Sequence, residues 1–249
     1  MIEEQSAIIE ATSINGITAS TQSGPANLNY AFSIPKERLE ETLRVHLDGR
    51  STESYHTVVP LRDVEIIEHI ALFKQDVLEA LVRNISLRYS NPAIYPFREA
   101  EIQQLRIEPK GLYVGQTFVL EQKILSIMKN LQGRFSSHCT PGISKMGPAQ
   151  IYGVSKSGDL VMAFYIPPIV EKHDNRDIIL DGMHRSYICD KSGTTITAIH
   201  VSNISSPIPF DPFTWKDVKA VTEKPPIHER YKNLQTTLFR DLSVVGIDG

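Results

Sequence analysis

One short stretch, residues 177–188 with the sequence DIILDGMHRSYI, constrains the fold more than any other part of the chain. Three apolar residues run into Asp181 and Gly182, and a segment compatible with a helix begins near Met183. A chain that leaves a strand and enters a helix within two residues often needs a backbone angle that glycine adopts most easily. The stretch therefore predicts a buried strand, a tight turn and the N-terminus of a helix.

The same stretch carries the residue types of a phosphate site. The first free N–H groups of a helix and its dipole favour a bound anion. His184 and Arg185 can bind phosphate oxygens, and Asp181 can hold a divalent metal or accept a proton from a hydroxyl. A simpler interpretation is a surface turn in which Asp181 caps the helix and Arg185 is solvated.

A family resemblance adds to this interpretation. The residues IILDGMHRSY resemble the DGxHR motif of the ParB/sulfiredoxin-like superfamily, especially its free serine kinase branch, in which this turn holds the nucleotide phosphates. The residues IPPIV at 166–170 resemble the family's preceding strand, which pairs with the motif strand across a hairpin at 171–176. The residues TTITAIHV at 194–201 resemble the strand after the motif helix. The resemblance implies an α+β fold, a ParB/sulfiredoxin-like mixed-sheet domain, here preceded by an N-terminal helical region.

What the resemblance implies about function is a nucleotide-dependent small-molecule kinase. It would phosphorylate a hydroxyl of a serine-like amino acid or a related metabolite, with ATP or ADP as donor and Mg²⁺ as cofactor. Asp181 would bind the metal and act in catalysis with His184. The nucleotide would be held by four consecutive residues: Gly182, Met183, His184 and Arg185.

The catalytic carboxylate is harder to place. The serine kinases carry a glutamate just before the first domain helix, and the corresponding position here is Gln116. Glutamine cannot act as a base, so we expect Glu121 to take the catalytic role, with Glu108 as its alternative. Otherwise the chain has lost this chemistry and serves as an interaction module.

A second alternative is a ParB-like protein that responds to nucleotide or associates with DNA and has no metabolite substrate. The formal net charge of -3 and the pI near 6.2 argue against a nucleic-acid partner, because there is no general basic field. Sulfiredoxins carry a cysteine where this chain has Met183, which argues against thiol-based repair of sulfinic acids.

Location follows from what the chain lacks. No apolar run approaches the roughly 18 residues of a membrane span, so no membrane partner is expected. Cys139 and Cys189 lie far apart without metal-type spacing, which suits a reducing compartment. We therefore predict a cytoplasmic protein.

Periodicity and breaker residues divide the chain into a flexible arm (1–30), a helical N-terminal region (31–92) and the nucleotide-binding domain (93–249), with an insertion at about 132–164. Helices are predicted at 35–47, 63–88, 121–131, 213–221 and 228–242, and a hairpin around 157–159. The 63–88 helix would carry an apolar stripe. That stripe would pack on the core of its own chain or form a homodimer interface.

Overall fold

A computed structural model describes residues 34–45, 47, 55–132, 142 and 144–242. The predicted arm at 1–30, and most of the loop between 132 and 147, lie outside these residues. The described strands are β1 (Ile34–Pro35), β2 (Thr57–Val58), β3 (Val64–Leu72), β4 (Glu101–Ile107), β5 (Tyr113–Val114), β6 (Phe118–Leu120), β7 (Ala149–Ser155), β8 (Leu160–Tyr165), β9 (Ile169–His173), β10 (Arg176–Ile179), β11 (Ile196–Ser202) and β12 (Lys219–Val221). The described α-helices are α1 (Lys36–Leu43), α2 (Gln75–Arg83), α3 (Glu121–Ser126), α4 (Met183–Lys191) and α5 (Ile227–Arg230).

The motif strand lies in a mixed five-stranded sheet with the order β4-β11-β9-β10-β5. β9 and β10 form the predicted antiparallel hairpin, while β10 is parallel to β5 and β11 is parallel to β9. The strand predicted at 194–201 is β11, which also pairs with β4. Together with the helices, this mixed sheet confirms the predicted α+β fold. No helix formed by the described residues is long and apolar enough to cross a membrane.

A second five-stranded sheet has the order β1-β2-β8-β7-β3. The hairpin predicted around 157–159 is confirmed as the antiparallel pair of β7 and β8. This hairpin lies inside the segment predicted to be an insertion, yet it pairs with β2 on one side and with β3 on the other. It therefore joins the N-terminal region to the rest of the chain.

The prediction of one long helix at 63–88 is wrong for the first half of that range. Residues 64–72 form β3, which pairs antiparallel with β7, and only α2 is helical. The sequence VEIIEHIAL is rich in β-branched residues, which favour strands. Ile66 is 58% exposed, so the predicted apolar stripe does not form one buried face. The homodimer interface predicted on a 63–88 helix therefore cannot form as predicted, because that helix does not exist.

The predictions of helices at 213–221 and 228–242 are also wrong over most of their length. Residues 215–217 form a short 3-10 turn and 219–221 form β12, which pairs parallel with β6. α5 ends at Arg230, the backbone of Tyr231 after it is extended, and a 3-10 turn follows at 236–238. Local helical spacing was outweighed here by strand pairing with β6 and by the backbone bridge between Asp211 and Lys232. The helix predicted at 121–131 is confirmed and continues as a π-helix over 127–132. The helix predicted at 35–47 is confirmed only as far as Leu43, because Arg44 takes a left-handed backbone conformation.

One hydrophobic core joins the two sheets. It buries residues of α1, α2, β8, β9 and β11, among them Leu39, Leu81, Phe164, Ile169 and Ile199, each less than 5% exposed. Burying a side chain of this size contributes roughly 1.5–3 kcal/mol. Leu180, directly after the motif strand β10, packs against this shared core, whereas Ile179 of β10 is buried in a separate cluster with Val114, Val170 and Ala198.

The pairing of β3 with β7 can be tested at Gly153. A Cβ atom there would collide with the Ile66 carbonyl oxygen, next to an irregularity in the β3–β7 register. We expect Gly153→Ala to lower the free energy of unfolding by about 1–3 kcal/mol, measured by urea denaturation. Gly111→Ala is the control, because a Cβ at Gly111 meets nothing within 4 Å. Equal stability of the two variants would contradict this pairing.

Candidate functional site

The turn at Gly182 is formed as the sequence predicts. Gly182 has φ 82° and ψ 21° and directly precedes α4. A Cβ atom there would lie 2.7 Å from the Pro168 side chain. Glycine is thus required both by the left-handed backbone angle and by the close approach of Pro168. The N–H groups of Leu180 and Asp181 both donate to the Ile169 carbonyl, at 2.8 and 3.3 Å, which ties the turn to β9.

A cavity of about 450 Å³ opens in front of this turn. All five residues of the DGMHR motif line it. Glu121 and Glu108, the two glutamates predicted as candidate bases, are exposed and do not line it. The remaining lining residues come from several segments of the chain: Arg62, Gln116, Phe118, Leu120, Lys123, Ser126, Ile127, Leu180, Lys224, Arg230 and Tyr231.

Asp181 and Arg185 form a buried ion pair inside the turn. Arg185 Nη2 lies 3.2 Å from Asp181 Oδ2, and the two residues are 8% and 7% exposed. Arg185 Nη1 also donates to the Ile166 carbonyl at 2.6 Å, and the guanidinium lies over the Tyr165 ring. A solvated Arg185 on a surface turn is therefore excluded. This guanidinium stabilises the turn whether or not it also contacts a ligand.

His184 is a neutral hydrogen-bond donor at pH 7. Its Nε2 accepts the Leu120 N–H at 3.0 Å, so the ring proton is on Nδ1. Burial, and after it the positive charges of Lys123, Arg185 and Lys224, together lower the pKa of His184 to about 4. With Nε2 occupied and the ring uncharged, His184 can offer its Nδ1–H to a bound group.

The cavity is strongly cationic. Its described lining contains five cationic side chains, Arg62, Lys123, Arg185, Lys224 and Arg230, and one carboxylate, Asp181. Partial burial lowers the pKa of the Lys224 amine, and the nearby charges of Arg230 and Lys123 add to the effect. Like charges gathered around one cavity produce a potential that attracts an anion.

The donor set does not fit a metal ion held by the protein. Mg²⁺ prefers oxygen ligands, usually carboxylates. Asp181 is the only carboxylate among the described lining residues, and it forms an ion pair with Arg185. Within the described part of the chain, no group of three or more His, Cys, Asp and Glu side chains could hold a metal.

Gln116 forms a neutral polar pair with Tyr231 in the cavity wall. Gln116 Nε2 donates to Tyr231 Oη at 2.7 Å, and the Tyr231 ring stacks on Phe210 with centroids 5.5 Å apart. Burial raises the pKa of Tyr231. The position at which a serine kinase would have its glutamate is thus occupied by uncharged hydrogen-bonding groups.

Several lining residues were not predicted from the sequence. Arg62 precedes β3, Lys123 lies in α3, and Lys224, Arg230 and Tyr231 lie after β12. No local motif connects them, because they are brought together only by strand pairing and chain reversal. Gln116 also lines the cavity, and the family resemblance had already singled out this position in the sequence.

Comparisons with known proteins identify a family. A family model described as the ParB CE domain matches residues 76–219, more than half of the chain. The search of curated proteins and the search of solved structures found no match. The matched residues include the motif turn and Gln116, whereas Arg62, Lys224, Arg230 and Tyr231 lie outside them.

The neutral state of His184 predicts a pH dependence of stability. Because the His184 pKa is lowered from 6.5 to about 4 on folding, the unfolded chain binds more protons than the folded one between these values. Stability contributed by neutral His184 is therefore lost as the pH falls from 6.5 to 4, by about 1–3 kcal/mol. Urea denaturation at several pH values should show a shallower loss for His184→Gln. His228→Gln, at an exposed histidine, should keep the wild-type slope.

The buried ion pair predicts a large effect on folding. Arg185→Met leaves the Asp181 carboxylate buried without its guanidinium, and we expect a loss of about 3–5 kcal/mol in the free energy of unfolding. Arg106→Met, at an exposed arginine, is the matched control. The double variant Asp181→Asn with Arg185→Met should lose less than the sum of the single variants. Additive losses in denaturation would show that the two side chains do not interact.

Proposed function

The chain belongs to the ParB CE domain family, and from this premise we propose that it binds a nucleotide through its phosphates at the turn between β10 and α4. The charge of the cavity carries the proposal: among the described residues, five cationic side chains and one carboxylate surround about 450 Å³. A phosphate chain supplies the negative charge that such a cavity attracts. The volume lies within the range of small-molecule sites.

The proposed phosphate contacts begin at the backbone. The first N–H groups of α4, from Met183 onward, have no acceptor within the helix and point toward its N-terminal end. The Nδ1–H of His184 adds a side-chain donor beside them. Gly182 allows the left-handed backbone angle that places these N–H groups, because it has no side chain. Arg185 holds the turn in shape through Asp181 and the Ile166 carbonyl.

As the activity of this site we propose transfer of the terminal phosphoryl group to a hydroxyl of a serine-like amino acid or a related metabolite. In this reaction the bond from phosphorus to the leaving nucleotide oxygen breaks, and a bond to the acceptor oxygen forms. The proton of the acceptor hydroxyl must pass to a base. Asp181 is the carboxylate that lines the cavity, whereas Glu121 is exposed at the start of α3. Asp181 is therefore the better candidate for the base.

A second candidate is a protein that binds nucleotide as a signal and transfers no phosphoryl group. The pair of Gln116 and Tyr231 favours it, because neither side chain supplies a carboxylate where the serine kinases have one. In this case Asp181 would serve only the turn, through its ion pair with Arg185. Both candidates use the same phosphate site and differ in whether a product is formed.

The experiment combines binding with product detection. ATP, ADP and CTP are titrated calorimetrically with Mg²⁺ present, and the nucleotide that binds is incubated with serine and related hydroxy amino acids. We expect micromolar to millimolar binding and a phosphorylated acceptor visible by mass spectrometry. Asp181→Asn should lose transfer by at least about 100-fold, because general-base catalysis is worth roughly 10²–10⁴, and a nucleotide titration of the same variant separates this loss from a loss of binding.

Matched variants separate the candidates. Glu121→Gln should leave transfer unchanged if Asp181 is the base, and a loss of transfer in that variant would assign the base to Glu121. Binding without any product would support the signalling protein, with a gel-shift assay on duplex DNA as its next measurement. If none of the three nucleotides binds with or without Mg²⁺, the proposed function is refuted.

A further inference from the structure

Part of the cavity wall is built from residues that the family match does not include. β12 pairs parallel with β6, and the chain after β12 therefore returns to the start of α3. This returning segment, residues 222–231, brings Lys224, Arg230 and Tyr231 to the cavity. The motif turn is thus supplied by the matched residues, and much of the positive charge by the segment that follows them.

The returning segment is fastened on several sides. Thr117 Oγ1 donates to the Glu229 carbonyl at 3.2 Å, and Gln116 Nε2 donates to Tyr231 Oη at 2.7 Å. Arg230 Nε donates to the Pro225 carbonyl, which closes the segment on itself. The N–H of Lys219 donates to the Thr117 carbonyl at 2.9 Å. These contacts give the cationic side chains a defined place beside the turn.

Lys123, Lys224 and Arg230, here called the cationic wall, interact electrostatically with one another. The positive charges of Arg230 and Lys123 both disfavour the protonated form of Lys224, and those of Lys123 and Lys224 disfavour protonation of His184. Holding like charges together costs free energy of folding. A polyanion placed among them removes this repulsion and gains charge-assisted hydrogen bonds.

We propose that the cationic wall neutralises the phosphate chain of the ligand in place of a divalent metal ion, so that a nucleotide di- or triphosphate binds this site without metal. The inference rests on the proposed function, because it assumes a phosphate-bearing ligand. The donor set supports it: the described lining offers one carboxylate, and that carboxylate is paired with Arg185. A divalent metal ion beside the cationic wall would be repelled by the three positive charges of the wall.

The proposal specifies how affinity depends on the ligand. Free ADP and ATP carry more negative charge than their magnesium complexes, so the metal-free forms should bind at least as tightly. Pyrophosphate should bind as well, because the wall recognises phosphate groups rather than the base. Inorganic phosphate, with fewer charges, should bind more weakly, and all affinities should fall with rising salt.

The test is calorimetric titration of ADP, ATP, pyrophosphate and inorganic phosphate into the full chain, once with EDTA and once with Mg²⁺. We expect binding in EDTA to equal or exceed binding with Mg²⁺. Lys224→Gln and Arg230→Gln should each weaken pyrophosphate binding roughly tenfold or more, as expected for the loss of a charge-assisted contact. Lys219→Gln, at an exposed lysine of β12 that does not line the cavity, is the control and should bind like the wild type.

The outcomes separate this inference from the proposed function. Nucleotide binding that appears only with Mg²⁺ would overturn the metal-free inference and leave the proposed function intact. Unchanged pyrophosphate affinity in both Lys224→Gln and Arg230→Gln would also overturn it. Circular dichroism of each variant checks that it is folded, and the salt series on the wild type tests the charge dependence without any substitution. Absence of binding in both buffers would refute the proposed function itself.

Discussion

The contact on which the site depends is the buried ion pair between Asp181 and Arg185. It lies within the turn that joins β10 to α4, and Arg185 extends it to the Ile166 carbonyl next to the Pro168 residue that packs on Gly182. Two buried charges are tolerated only when they are paired and hydrogen-bonded. The pair therefore specifies the direction of α4 and, with it, where the first N–H groups of that helix point. A motif arginine with this role contributes to binding mainly by shaping the turn.

Because Arg185 is engaged in the turn, the positive charge available to a ligand comes mainly from the other cationic residues of the cavity. Its other cations come from the connection before β3, from α3 and from the segment after β12. His184 complements them as a neutral donor, because burial and the surrounding positive charges lower its pKa to about 4. The cavity thus combines fixed backbone dipoles, one neutral imidazole and several cationic side chains. Such a set suits recognition of an extended phosphate chain better than capture of a metal ion.

Periodicity failed in the N-terminal region for a physical reason. The apolar residues of 63–88 recur at helical spacing, but VEIIEHIAL is rich in β-branched side chains and β7 offers it backbone partners from Ala149 to Ser155. Strand pairing of this kind depends on a segment about 80 residues away, which a local window does not contain. The same holds for residues 213–221, where pairing of β12 with β6 replaces the end of the predicted helix. The confirmed hairpins, by contrast, connect neighbouring strands through short turns.

The sequence by itself determined the strand, the turn and the helix at residues 177–188, because glycine, a run of apolar residues and a helix start act over a few positions. It also indicated the mixed α+β fold and the uncharged residue at position 116. Tertiary structure alone decided that Arg185 faces inward and that Lys224, Arg230 and Tyr231 reach the cavity. These outcomes depend on burial, charge and strand pairing between distant segments. Local preferences set the backbone of the site, and long-range packing set its electrostatics.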